Sequence, residues 1–168
     1  MRIKDRILEG ALKENPFHIE KIISGGQTGV DRAALGVALW LDIPCGGWCP
    51  KGRKAEDGPI DTRYPLQETA SARYPIRTEK NVRESDGTLI LMWGLPKGGT
   101  ALTIKFAQKH KKPYCVVDLS MGEDPKTVKE WGKMNRIRLL NVAGPPESNA
   151  PGIFDQAVKF LQSVFSGS

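Results

Sequence analysis

The chain has 168 residues, 39% of them hydrophobic and 26% charged, and 25 Lys+Arg against 19 Asp+Glu give a formal net charge of +6. That length suffices for one domain burying roughly 70% of its unfolded surface, and the composition excludes collagen-like and low-complexity classes. Three cysteines exclude a fully paired disulfide framework, and no apolar run reaches the roughly 18 residues of a membrane span.

Residues 1–16 read as a short helical arm, with Ile3, Ile7, Leu8, Ala11 and Leu12 on one side and Asn15-Pro16 ending it. Charges at Asp5, Arg6, Glu9, Lys13 and Glu14 interrupt any signal-peptide apolar core, so a reduced, cytoplasmic protein is expected. Ile19–Ser24 is predicted as a strand running into Gly25-Gly26-Gln27-Thr28-Gly29. Beyond it Val30, Ala33, Ala34, Val37, Ala38 and Leu41 recur at helical spacing, and Asp42-Ile43-Pro44 breaks the helix. Cys45-Gly46-Gly47-Trp48 closes a second short strand. Residues 49–76 carry little periodicity and much Pro, Gly and charge, as expected of a basic loop or lid. A short helix over 78–84 leads to a strand over 88–92, a glycine-rich loop and a helix over 101–109. A strand over 114–119, a helix over 126–134, a strand over 137–142 and a helix through Phe165 follow. Continuous apolar strands alternating with helices predict an α/β fold. One three-layer Rossmann-like domain over 1–168, with a mainly parallel central sheet, is expected.

Three strand-to-helix junctions share one design, an apolar strand, a loop rich in Gly or Pro, then a helix: Gly25–Gly29, Lys97–Thr100 and Gly144–Gly152. In a parallel sheet such junctions line the edge outside the carboxyl ends of the strands, where ligands of these folds bind. Free N–H groups at helix starts, and glycines that allow close approach, suit phosphate, carboxylate or another oxyanion. In the first junction Gly25, Gly26 and Gly29 are candidates to wrap an anion, with Gln27, Asp31 or Arg32 reading its polar edges. The alternative is that Thr28 and Asp31 only cap their own helix. Asp31 suits a hydroxyl or amino group, since a carboxylate beside a phosphate is unhelpful. Lys97, Gly98, Gly99 and Thr100 form the second candidate. Ser148 or Asn149 caps in the third. Lys51, Arg53 and Lys54 flank Gly52 after a strand edge, aimed at the same place, whereas Arg63, Arg73, Arg77 and Arg83 suit a solvated face.

Neither the Gly-x-Gly-x-x-Gly fingerprint nor a Walker loop is present, so NAD and P-loop chemistry are not expected. Cys45, Cys49 and Cys115 lack zinc-motif spacing and an accompanying histidine, so no metal site is predicted. Glu56, Asp57, Asp61 and Glu68 have no strand-end histidine to pair with, and no catalytic residue is assigned.

The segments Ser24–Leu35, Gly46–Arg53, Glu68–Thr69, Asn81–Ile90, Gly98–Thr100 and Glu147–Ile153 resemble the molybdenum carrier proteins. That family is similar to the molybdenum cofactor carriers and belongs with the Rossmann-like SLOG and lysine-decarboxylase-like group. The resemblance covers nearly the whole chain from Lys21 onward. It implies a nucleotide-like or pterin-phosphate ligand and a homo-oligomer, dimer or tetramer. The molybdenum cofactor (molybdopterin) is the implied cargo, its dithiolene supplied by the pterin rather than by Cys45 or Cys49. Enzymes of the group release a base from nucleoside monophosphates through a Pro-Gly-Gly-x-Gly-Thr-x-x-Glu motif. Pro96-Lys97-Gly98-Gly99-Thr100 departs from it, and Thr103 stands where the Glu would act. The expected function is carriage of an anionic small molecule without conversion. The alternatives are a phosphoribohydrolase-like enzyme and a single-strand nucleic-acid binder. The latter lacks an aromatic platform, with Trp48, Tyr64 and Tyr74 alone in the basic segment. Neither a membrane nor a nucleic-acid partner is expected.

Overall fold

The apolar run Gly87–Met92 (β5) is buried at every position, which places it in the middle of a sheet covered on both faces. The computed structural model describes residues 17–166, and the helical arm expected over 1–16 lies outside them. Before β5 come β1 (Lys21–Ile23), α1 (Val30–Trp40), β2 (Cys45–Gly46), β3 (Trp48–Cys49), β4 (Gln67–Glu68) and α2 (Tyr74–Arg83). After it come α3 (Gly98–Lys109), β6 (Tyr114–Asp118), α4 (Pro125–Met134), β7 (Leu139–Ala143) and α5 (Ile153–Phe165). The predicted α/β class and parallel sheet are what the structure shows, with element ends displaced by a few residues.

The main sheet has the order β2-β1-β7-β5-β6, and every neighbouring pair is parallel. The β1-to-β2 and β5-to-β6 connections step in opposite directions across it. Right-handed crossovers therefore put α1 and α3 on opposite faces. Helix α1 packs against α5, and α5 against α4, in one layer, while α2 and α3 pack together in the other. Read from β7, this is the doubly wound order 3-2-1-4-5, with the strand that ordinarily leads placed last. The direction of winding reverses between β7 and β5. The main core lies under α1 and α5, where Ile22, Val30, Leu89, Leu91, Leu140, Ile153 and Leu161 are buried together.

Residues 49–76 are more ordered than expected. Strands β3 and β4 pair in parallel there, Trp48 opposite Gln67 and Cys49 opposite Glu68. Cys49, Ala55, Ile60 and Tyr64 form a small core of their own on Leu35 of α1. Arg53 holds this segment together: its Nε donates to the carbonyl of Ile60, Nη1 to that of Leu66, and Nη2 to those of Asp61 and Tyr64. A guanidinium has enough donors in a fixed fork to replace a hydrogen-bonding strand. Arg53 is thus engaged within its own segment and does not line the cleft towards which its position beside Gly52 was expected to aim it. Arg53→Ala should destabilise the fold by roughly 1–3 kcal/mol and speed amide exchange at Gly58, Ile60 and Tyr64. Unchanged exchange there would rule this latch out.

Helix α2 begins at Tyr74, earlier than predicted, because Pro75 fits the first helical turn. From α2 the Asn81 side chain pairs with β3 as a strand would, accepting from Trp48 N at 2.8 Å and donating to Trp48 O at 2.9 Å.

Candidate functional site

A cleft of about 770 Å³ opens where β7 and β5 end, at the reversal of winding. The turns after β1, β5 and β7 all contribute to its wall, and α2 supplies Tyr74 and Arg77. The first and third turns are in direct contact. Ser24 Oγ donates to the carbonyl of Val142 at 2.7 Å, and Glu147 N donates to Thr28 Oγ1 at 3.0 Å. Gly29, at φ 76°, lies so close that a Cβ there would fall 2.4 Å from the carbonyl oxygen of Pro145.

Of the three helix starts, two are occupied by the protein's own groups. Glu147 caps α5, accepting from Gly152 N at 2.5 Å and Phe154 N at 3.0 Å. Glu56, reaching in from the ordered segment, accepts from the hydroxyl of Thr28 and from Ser148 through Oγ at 2.5 Å and N at 3.2 Å. Those hydroxyls hold the Glu56 carboxyl below its usual range. Thr28 and Ser148 are thereby engaged with Glu56. At the first turn, Gln27 Oε1 accepts from Thr28 N at 3.0 Å and Glu56 N at 2.9 Å, and Val30 N donates to Pro145 O. The N-cap of α1 is Gly29, with no side-chain cap, so the alternative that Thr28 and Asp31 cap this helix does not hold.

The start of α3 is different. Its N-cap is Lys97, which supplies no capping side chain, and Lys97, Gly98, Gly99 and Thr100 all line the cleft. A Cβ added at Gly98 or Gly99 would meet open space; the backbone of Gly98, at φ 50°, favours glycine, whereas neither packing nor φ calls for it at Gly99. Of the three helix starts, this is the one left open to the cleft.

Gly25, Gln27, Asp31 and Ser148 also line the cleft, whereas Gly26, Thr28, Gly29, Arg32, Lys51 and Arg53 do not. Gly26 is glycine for its backbone, which sits at φ 78°, and a Cβ there would also press on the ends of Leu66 and Ile60. Arg32 is paired with Asp57 at 2.5 Å and donates to Gly26 O at 3.0 Å, and Lys51 is exposed. Sequence reading missed Arg77, taken for a surface cation. It is 7% exposed, and its Nη1 donates to the carbonyl of Gly25 at 2.6 Å. It also missed Asn141, which donates to Thr88 Oγ1 at 3.2 Å beneath the cleft. A polar residue inside the apolar run Leu139–Ala143 was an available signal.

The three cysteines do not gather. Cys45 is on β2 and Cys115 on β6, at opposite edges of the sheet, and Cys49 is in the small core. Burial raises all three thiols, Cys115 to about 11, so none is a ready thiolate at neutral pH. No group of three or more His, Cys, Asp or Glu among the described residues could hold a metal ion, and no helix among them is long and apolar enough to cross a membrane.

Residues 22–165 match the model of the circularly permutated YpsA SLOG family, cpYpsA, in accord with a doubly wound sheet whose leading strand comes last. The chain belongs to that family. The cpYpsA chain is also 45% identical to a protein of known crystal structure from Syntrophus aciditrophicus SB, named "Putative molybdenum carrier protein". The match covers 92% of this chain and 99% of that one, with a TM-score of 0.88. No curated protein matches. The resemblance read from Ser24–Leu35 and the other segments is therefore upheld for both the SLOG group and the carrier-like relative.

Proposed function

We propose that this cpYpsA protein carries a phosphorylated heterocyclic ligand in the cleft, with the molybdenum cofactor as cargo. The observation that carries the reading is the open start of α3. A phosphate there meets the free amides and positive dipole end of a 12-residue helix, with Lys97 as counter-charge and two glycines allowing backbone approach. Tyr74 and Trp93 in the same wall supply aromatic surface for a ring.

The relative's name supports molybdenum as the metal involved. The donor set fits cargo rather than a protein-ligated ion. Thiols that are wholly or partly buried and separated from one another leave the soft ligands to the pterin's own dithiolene. Carriage without conversion is favoured by Thr103, which stands at the acid position of the related hydrolases. Its Oγ1 donates to the carbonyl of Gly99 at 2.9 Å, inside its own helix.

Gly99→Val tests the assignment. Gly99 has an ordinary φ and space for a side chain, so the fold should be retained while the approach to the α3 amides is obstructed. Equilibrium binding of molybdenum cofactor and of nucleoside monophosphates should weaken about tenfold or more, the loss of one to two good charge-assisted hydrogen bonds. Equal affinity in the variant removes α3 from the site. Gly26 is unsuited to this test, because its replacement would disturb Leu66 and Ile60 instead.

A further inference from the structure

Asp31 is the feature of the cleft that the phosphate reading leaves unexplained. It is 6% exposed, yet its carboxylate makes one long hydrogen bond, accepting from Gln27 N at 3.3 Å. The nearest cation is Arg77, whose Nη2 lies 4.0 Å from Oδ2. A carboxylate has about four acceptor sites, and burying it with so few donors is costly. Fold stability does not account for it, because it caps no helix and its neighbour Arg32 is committed to Asp57 and Gly26. Its surroundings nonetheless fix its position. Arg77 is itself held by Gly25 O and Thr78 Oγ1, and a Cβ on Gly25 would fall 2.4 Å from Arg77 Nη1 and 2.9 Å from Asp31 Oδ2. The group lines the cleft as a fixed, under-supplied acceptor.

We infer that Asp31 selects the ligand's ring, accepting two parallel hydrogen bonds from a lactam N–H and the amino group beside it. This inference rests on the cleft and phosphate site proposed above. The edge it describes, a 2-amino-4-oxopyrimidine, is common to guanine and to oxidised or reduced pterins. It is absent from adenine, and hypoxanthine offers half of it. Two adjacent donors matched to two carboxylate oxygens give geometric selection that neither a hydroxyl nor a backbone carbonyl provides. The phosphate end supplies affinity common to all phosphorylated ligands, and Asp31 supplies the discrimination among rings.

The test compares GMP, IMP, AMP, neopterin 3′-monophosphate and inorganic pyrophosphate by calorimetry, on the wild-type protein and on Asp31→Asn. Asn keeps the shape and one acceptor but turns the second into a donor. In the wild type, GMP or neopterin monophosphate should bind roughly ten- to a hundredfold more tightly than AMP, with IMP between. Asp31→Asn should abolish that preference and leave AMP and pyrophosphate unchanged. Preference for neopterin monophosphate over GMP identifies the pterin as the source of the edge, and the reverse identifies guanine. If GMP, IMP and AMP bind the wild type equally, or if the preference survives in Asp31→Asn, the inference fails while the phosphate site stands. If no probe binds, pyrophosphate included, the phosphate site fails and the inference with it.

Discussion

Asp31→Asn is expected to raise the stability of the protein by roughly 3 kcal/mol at about pH 7.5, and by very little near pH 4. Burial lifts the Asp31 carboxyl from 3.8 to about 6, against the opposing pull of Arg77, the Gln27 amide and Arg32. The folded state therefore favours the protonated form. That advantage is fully present below 3.8, erodes as pH rises, and is gone above about 6. The groups that face this carboxyl are Arg77 from α2, Arg32 from its own helix, and the uncharged Ser24 and Gln27 at the first turn. Asn resembles the protonated acid and carries no charge to bury. Its effect should follow the same curve, which thermal melts between pH 4 and pH 8 can trace. For a protein of this size the shift at neutral pH corresponds to about 5–10 °C in Tm. A fall in Tm at neutral pH would mean that the ionised carboxylate is a net structural support, and its interpretation as a ligand group would lose its basis. A substitution that stabilises the fold while removing ring selection is the pattern expected where function opposes stability.

Gly29→Ala should act in the opposite sense, destabilising by roughly 2–5 kcal/mol. Gly29 sits at φ 76°, where a Cβ is strained. That Cβ would also stand 2.4 Å from Pro145 O and 2.8 Å from Glu147 N, both backbone atoms that cannot rotate away. Relief requires the first and third turns to separate, which breaks the Glu147 N to Thr28 Oγ1 bond and releases the Glu56 anchor. Chemical denaturation should show the loss directly. Gly99→Ala provides the contrast, since its Cβ meets open space and should leave the midpoint nearly unchanged. If both variants behave alike, the close approach of the two turns is not a feature of the protein in solution.

The fold was legible because its signals are local. Five apolar positions on α1 and a sixth at its C-cap, Leu41, at helical spacing, and buried runs such as Gly87–Met92, report their own environment. The placing of β7 between β1 and β5 was not legible, because a continuous apolar strand fits any interior position of a parallel sheet. The segment 49–76 looked unstructured because its order depends on one arginine and on a small core shared with Leu35, neither of which has a period. At the site, the three junctions were visible as glycine-rich loops after strands. Which of them remains open was not, since that depends on Glu56 reaching Ser148, 92 residues away. Arg77 was missed for a related reason. Its burial comes from contact with Gly25, 52 residues distant, and nothing beside it in the chain reports that.

The late position of β7 bears on how the molecule is made. During synthesis β1 and β2 can pair, and so can β5 and β6, but the two ribbons have no common neighbour until Leu139–Ala143 has left the ribosome. Until then each ribbon exposes an unpaired inner edge, a hazard for association between nascent chains. A chain truncated before Leu139 should therefore be a substrate for chaperones and proteases rather than a folded domain lacking one strand. The last strand to emerge both seals the sheet and completes the wall of the cleft, so the cleft takes shape in the same step in which the inner edges are covered.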